Sequence, residues 1–224
     1  MLGDYQTQVD ALLRDREGVT GPASRDAAIG QGVLRYSTDR PIRDVVDLTA
    51  ADTHYLALPA GWVTDFSRVL RVEHPIGQHP PAIVPGEDWQ HYDTPAGLMI
   101  LLHVGLAVGA AVRVTYTRPH TVDALTDTIP AIHRDAVASY AAGLLCRELA
   151  AYYSGDSDST IAADTVDHGD QAMRWDKRGR ELRQRYYESL GVNPRRNTAA
   201  GAVVDLDRQP SYGRTAWTRM RRNA

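Results

Sequence analysis

The last third of the chain constrains its fold more than any other stretch. Residues 130–154 carry an apolar pattern of helical period, residues 155–160 read Gly-Asp-Ser-Asp-Ser-Thr, and residues 163–190 carry a second, heavily charged helical pattern. Beyond Leu190 follow 34 residues, Gly191–Ala224, with seven arginines against two aspartates. So long a stretch without regular structure is uncommon at the end of a compact enzyme. Such a tail needs something else to order it, so the chain reads as part of an assembly.

The charge is split along the chain. The net value is −3, yet residues 1–190 hold 18 basic against 26 acidic side chains, and the excess of base sits in the tail. An acidic body with a basic arm predicts that the arm meets an acidic surface, protein or nucleic acid. Lys177 is the only lysine beside 24 arginines, and arginine is the better residue for bidentate contacts to carboxylate or phosphate. A hydrophobic fraction of 43% is enough for a real core.

Cys146 is the only cysteine, so no intrachain disulfide is expected. It stands among Leu144, Leu145 and Leu149 and reads as a small core thiol. The N-terminus shows no basic segment followed by an apolar run, so no signal peptide is expected. The most apolar stretch, Leu98–Val114, is short for a membrane span and is broken by His103, Gly105 and Gly109. Two strands and a turn account for it better.

Tyr5, Val9, Leu12 and Leu13 fall at i, i+4, i+7 and i+8 and predict a short amphipathic helix. A second helix is expected from an N-cap at Ser24, with Ile29, Val33 and Tyr36 on one face and Pro41 closing it. The texture then changes. Asp44–Leu48, Tyr55–Leu58, Val69–His74, Trp89–Tyr92, Leu98–Leu102 and the alternating Val112, Val114 and Tyr116 predict an antiparallel β module of five to seven strands over residues 43–120. A turn is expected at Asp93–Gly97.

The third helix is expected after Pro130, with Val137, Tyr140, Ala141, Leu144, Leu145, Leu149 and Tyr152 as its apolar stripe. The fourth has a thinner stripe of Ala172, Trp175, Gly179, Leu182, Tyr186 and Leu190, where Ala172 and Gly179 would admit another backbone. Arg174, Lys177, Arg178, Arg180, Arg183 and Arg185 crowd the rest. A helix this polar lies on the surface or bridges to a partner. The fold expectation is α+β: a helical bundle from residues 1–42 and 121–190, an inserted β module at 43–120, and an extended arm at 191–224.

Motifs for chemistry are weak. His74, His79 and His91 with Glu87 form the only histidine group worth testing for a metal, and no ligand spacing supports it. His133-Arg134-Asp135 copies a kinase triplet without the downstream Asn or a Gly-rich loop. Gly30-Gln31-Gly32 falls inside a helix, where no dinucleotide turn forms. Asp156, Asp158 and Asp167 echo a calcium loop, but Ile161 stands where that loop needs glycine and Asp167 where it needs glutamate. No catalytic residue, metal or cofactor is assigned.

The segments RDAAIGQGVLRYSTDRP, LPAGWVTDFSRVLRVEHPIG, VRVTYTRPHT and TIPAIHRDAVASYAAGLLCRELAAYYSGDSDSTIAADTVDH lie between residues 25 and 168. In their pattern and layout they resemble the head-to-tail connector, or adaptor, proteins of tailed bacteriophages. The resemblance implies a helical bundle docked under the portal ring, a twelve-fold ring of copies and a stopper or tail-completion protein beyond it. DNA would pass through without sequence-specific binding, and no membrane would be involved. The chain would reside in the neck of the virion, after a period in the host cytoplasm. On that reading the arm binds the portal through Arg195, Arg196, Arg208, Arg214, Arg219, Arg221 and Arg222 as charges. Val203, Val204 and Leu206 would add a strand, with Tyr212, Trp217 and Met220 as anchors. Arg174, Arg178, Arg183 and Arg185 are the candidate contacts between subunits. Two other readings stand beside it: a nucleic-acid-binding protein using the basic arm, and an enzyme with a cleft in the β module around His74, His91 and Glu87.

Overall fold

The computed structural model describes residues 1–15, 18–95, 97–155 and 168–193. Their fold is mixed α+β, with four helices and two small antiparallel sheets. Helix α1 spans Leu2–Leu13 and α2 spans Pro22–Asp39. Six strands follow: β1 (Ile42–Thr49), β2 (Tyr55–Leu56), β3 (Val69–Glu73), β4 (Trp89–Thr94), β5 (Gly97–Leu102) and β6 (Ala111–Arg118). A 3₁₀ turn at Ala131–His133 leads into α3 (Arg134–Gly155), and α4 covers His168–Leu190.

The helices pack around one core. Tyr5, Val9 and Leu13 of α1, with Ile29, Val33 and Tyr36 of α2, close on Val137, Ala141, Leu145 and Leu149 of α3. Leu182, Tyr186 and Leu190 complete it from α4. The central helix is α3. Alanines at 136, 138, 141 and 142 widen its buried surface so that α1, α2 and α4 all reach it, and a helix apolar around most of its girth belongs in the interior. One residue of the expected stripe is corrected: Tyr152 is exposed and Tyr153 is buried in its place. Tyr153 stands four residues after Leu149, itself four after Leu145, so it continues their face.

The start of α2 is also corrected. The helix begins at Pro22 with Gly21 as N-cap, and Ser24 makes no cap bond. Proline is pre-set for the first helical position, so it displaces the serine two residues on. The Ser24 hydroxyl donates instead to Glu148 Oε1 at 3.1 Å on α3.

The six strands form two three-stranded sheets, ordered β1-β6-β3 and β2-β5-β4. Val69, Val72, Val112 and Val114 of the first share a core with Leu56, Ile100 and Leu102 of the second. Val112, Val114 and Tyr116 are buried while Arg113 and Thr115 lie outside them, as period two requires. The Leu98–Val114 stretch resolves into β5, β6 and their connection. Among the described residues no helix is long and apolar enough to cross a membrane.

The two parts meet at His120. Its backbone N–H donates to Ser37 Oγ at 2.9 Å, whose hydroxyl donates to Val33 O at 2.7 Å. Its ring nitrogens face Arg40 O at 3.0 Å and Thr128 O at 3.0 Å. One imidazole thus ties the end of α2 to the segment entering α3.

Candidate functional surfaces

Position 179 decides how the two long helices meet. Gly179 and Gly143 face each other at the α3–α4 crossing: a Cβ on Gly179 would stand 2.9 Å from Gly143 O, and one on Gly143 would stand 3.0 Å from Gly179 O. Two helices approach this closely only where both lack a side chain. The crossing sets α4 against the bundle and fixes which of its arginines face outward.

Two buried carboxylates hold the frame. Asp39, at the end of α2, accepts from Tyr186 Oη at 2.7 Å on α4 and from Arg35 Nε at 2.9 Å. Arg40 beside it donates to Leu190 O at 2.6 Å and so caps α4. Asp127 forms an ion pair with Arg134, whose Nε lies 2.8 Å away, and accepts from the Ile129 N–H at 2.9 Å, and Tyr5 Oη reaches it from α1 at 3.4 Å. A buried carboxylate is tolerable only with such partners. Burial, reinforced by the neighbouring carboxylate, raises the Tyr5 and Tyr186 hydroxyls far above the ordinary phenol value. Sequence reasoning missed both aspartates, because their partners lie 147 and 122 residues away.

The four arginines expected between subunits lie as follows. Arg178 donates to Leu12 O and stacks over Trp175 at 5.8 Å, joining α4 to the end of α1. Arg183 Nε donates to Gly179 O at 3.3 Å. Arg185 pairs with Asp135 on α3 at 2.7 Å, both well exposed. Arg174 is exposed and lines a cleft of about 330 Å³ with Arg14, Asp15, Tyr153, Gln171, Trp175 and Arg178. Arg178, Arg183 and Arg185 are thus engaged within their own chain, as Arg174 is too, at the rim of an aromatic-floored recess.

The arm residues from Arg195 to Arg222 lie outside the described residues, as do Asp156, Asp158 and Asp167. The histidine group of the β module is in view. His74 Nδ1 faces Ala111 O at 3.2 Å, and His91 packs edge-on against Trp62 and Trp89. Among the described residues no three His, Cys, Asp or Glu side chains converge to hold a metal ion. His133 Nδ1 meets Tyr36 Oη at 2.6 Å, and Asp135 is engaged by Arg185, so the kinase-like triplet serves packing. Burial pushes the Cys146 thiol up to about 11, which leaves it inert as a nucleophile.

The second sheet presents a different surface. Tyr55, Tyr92, Met99 and Leu101 belong to neither core. Tyr55 and Tyr92 lie 5.9 Å apart between ring centres, and Tyr92 is 44% exposed. Strand alternation at 98–102 was visible in the sequence as an apolar run, but which alternate set would be left outside depends on the pairing.

No protein-family model matches the chain, and no curated protein matches it.

Proposed function

We propose that the chain is a structural connector of a tailed bacteriophage, joining the portal ring of the capsid to the tail and continuing the DNA channel. What supports this reading is the layout: a helical frame made from both ends of the described chain, with a β module inserted between α2 and α3. The end of α4 is anchored through Asp39 and Arg40, so the basic arm departs from a rigid point. The arm adds charge and anchors for a partner. Ordering it costs several kcal/mol, which Tyr212, Trp217, Met220 and the arginines would have to offset. The acidic balance of residues 1–190 suits a channel wall past which DNA slides.

The test is co-sedimentation with DNA-filled, tailless capsids of the phage that encodes the chain. Full-length protein is compared with a version ending at Leu190. Binding by the full chain alone supports the connector and puts its anchor in the arm. Equal binding by both removes the arm from the mechanism, and no binding by either removes the connector. The seven arginines of the arm also fit a nucleic-acid-binding protein. That reading requires a DNA affinity that falls steeply with salt and is lost with the arm.

A further inference from the structure

Three helices build the recess beside Arg174. Gln171, Arg174, Trp175 and Arg178 recur at i, i+3, i+4 and i+7, so one stripe of α4 lines it. Arg14 enters from the end of α1, and Tyr153 from the last turn of α3. The space is about 330 Å³, at the small end of the range that holds small molecules, about 300–1,000 Å³.

The lining sets cations over an aromatic floor. Arg14, Arg174 and Arg178 share it with a single carboxylate, Asp15. That carboxylate serves the α1–α2 connection: it accepts from the Gly18 N–H at 3.1 Å and from the Thr20 N–H and hydroxyl, both at 2.9 Å. Arg178 is held by Leu12 O and by the ring of Trp175. Neither contact cancels its charge. Arg174 is engaged within the chain as well, and a guanidinium has five donors to share. Trp175 is half-buried and packs against the helical core, which fixes its ring while leaving part of it open to the recess.

Cations from two helices suit an anion that accepts from several directions. A phosphate monoester offers three strong acceptor oxygens, a carboxylate only two. A bare phosphate leaves Trp175 and most of the space unused. A flat ring joined to the phosphate uses both, because a base stacks on aromatic rings and guanidinium planes alike. The Gln171 amide adds a donor and an acceptor for the edge of that base.

We propose that this recess binds a nucleoside 5′-phosphate, with the phosphate on Arg14 and Arg174 and the base against Trp175. The ligand is either a free nucleotide or the 5′-terminal nucleotide of a single strand. The site is separate from the basic arm, and it goes beyond the connector reading, which assigns no small-molecule ligand.

The test is calorimetric titration of the full-length chain with deoxyadenosine 5′-monophosphate, deoxyadenosine and inorganic phosphate. The expected result is one nucleotide site per chain, weaker by at least roughly tenfold when either the base or the phosphate is missing. Arg14 and Arg174 are both exposed, so Arg14→Gln with Arg174→Gln should keep the urea midpoint and weaken nucleotide binding by at least roughly tenfold. Trp175→Leu should bring the nucleotide down to the affinity of phosphate alone. Arg180→Gln, outside the recess, should change nothing. No nucleotide binding, equal affinity for nucleotide and inorganic phosphate, or binding indifferent to the Arg14/Arg174 pair overturns the proposal. A short oligodeoxyadenosine with and without a 5′-phosphate separates the sources, since the arm meets both strands alike and their difference reads the recess. A preference for the phosphorylated strand that the double variant loses assigns the strand end. Mononucleotide binding with no such preference assigns the free nucleotide.

Discussion

Replacing Gly179 by alanine sets two well-known effects against each other. In the interior of a helix, alanine is better than glycine by about 1 kcal/mol. At position 179 the new methyl would stand 2.9 Å from Gly143 O and 3.2 Å from Cys146 Cβ. Ordinary contact begins near 3.4 Å, so α4 must retreat by about half an ångström, and the obstacle is backbone that no rotamer change can move. That retreat loosens the seam in which Leu182, Tyr186 and Leu190 are buried. Overpacking of this kind costs about 1–3 kcal/mol. Gly30→Ala is the matched control: Gly30 lies inside α2 and a Cβ there meets nothing within 4 Å. The helix-propensity gain is common to both variants, so their difference isolates the crossing. Urea unfolding followed by helical circular dichroism should show Gly30→Ala stabilised by about 1 kcal/mol and Gly179→Ala lying about 1–3 kcal/mol below it. Equal stabilisation of the two would refute the close crossing and, with it, the placement of the outward row of α4.

Three further outcomes are expected. Tyr186→Phe removes the hydroxyl that Asp39 accepts at 2.7 Å, and should cost about 1.5–3 kcal/mol in the same unfolding assay because the acceptor is charged and buried. His120 is held below its ordinary value of 6.5, first by burial, so the folded state favours the neutral ring. The unfolded chain then takes up its proton first, and stability present above pH 6.5 is lost as pH falls below it. Unfolding midpoints measured from pH 7.5 down to 5 should fall, and His120→Gln should flatten that slope. The Cys146 thiol, buried and raised to about 11, should ignore a thiol reagent in native buffer and react fully once the chain is unfolded in guanidinium.

Period and punctuation made the helices and most strands legible. The pattern Tyr5-Val9-Leu13 and the pattern Ile29-Val33-Tyr36 name buried residues correctly, because each helix hides only one side and that side writes itself at spacings of three and four. The strands were legible as alternation, and Gly179 as a point of close approach. What stayed hidden depends on partners distant in sequence. Gly143 acquires its meaning only opposite Gly179. Asp39 and Asp127 read as ordinary surface acids until Tyr186 and Tyr5 are brought to them. The division of the strands into two sheets is set by pairing β1 with β6 across the whole insertion, which no local pattern encodes. The same holds for the surface of Tyr55, Tyr92 and Met99: an apolar run says that strands are present, and only their register says which alternate residues remain outside.

The β1–β6 pairing has a consequence for how such a chain can change. Ile42 lies opposite Arg118 and Thr49 opposite Ala111, so the strand that leaves α2 and the strand that returns toward α3 run side by side along their whole length. The insertion has a narrow neck: one doorway serves as both entrance and exit. Everything beyond it, from Arg43 to Thr117, can lengthen, shrink or be exchanged while the frame registers only the distance between two adjacent strands. A gene could thus trade the whole head of this protein for another hairpin-closed one and keep its helical chassis, with Arg40 and His120 as the hinge pins on which the exchange turns.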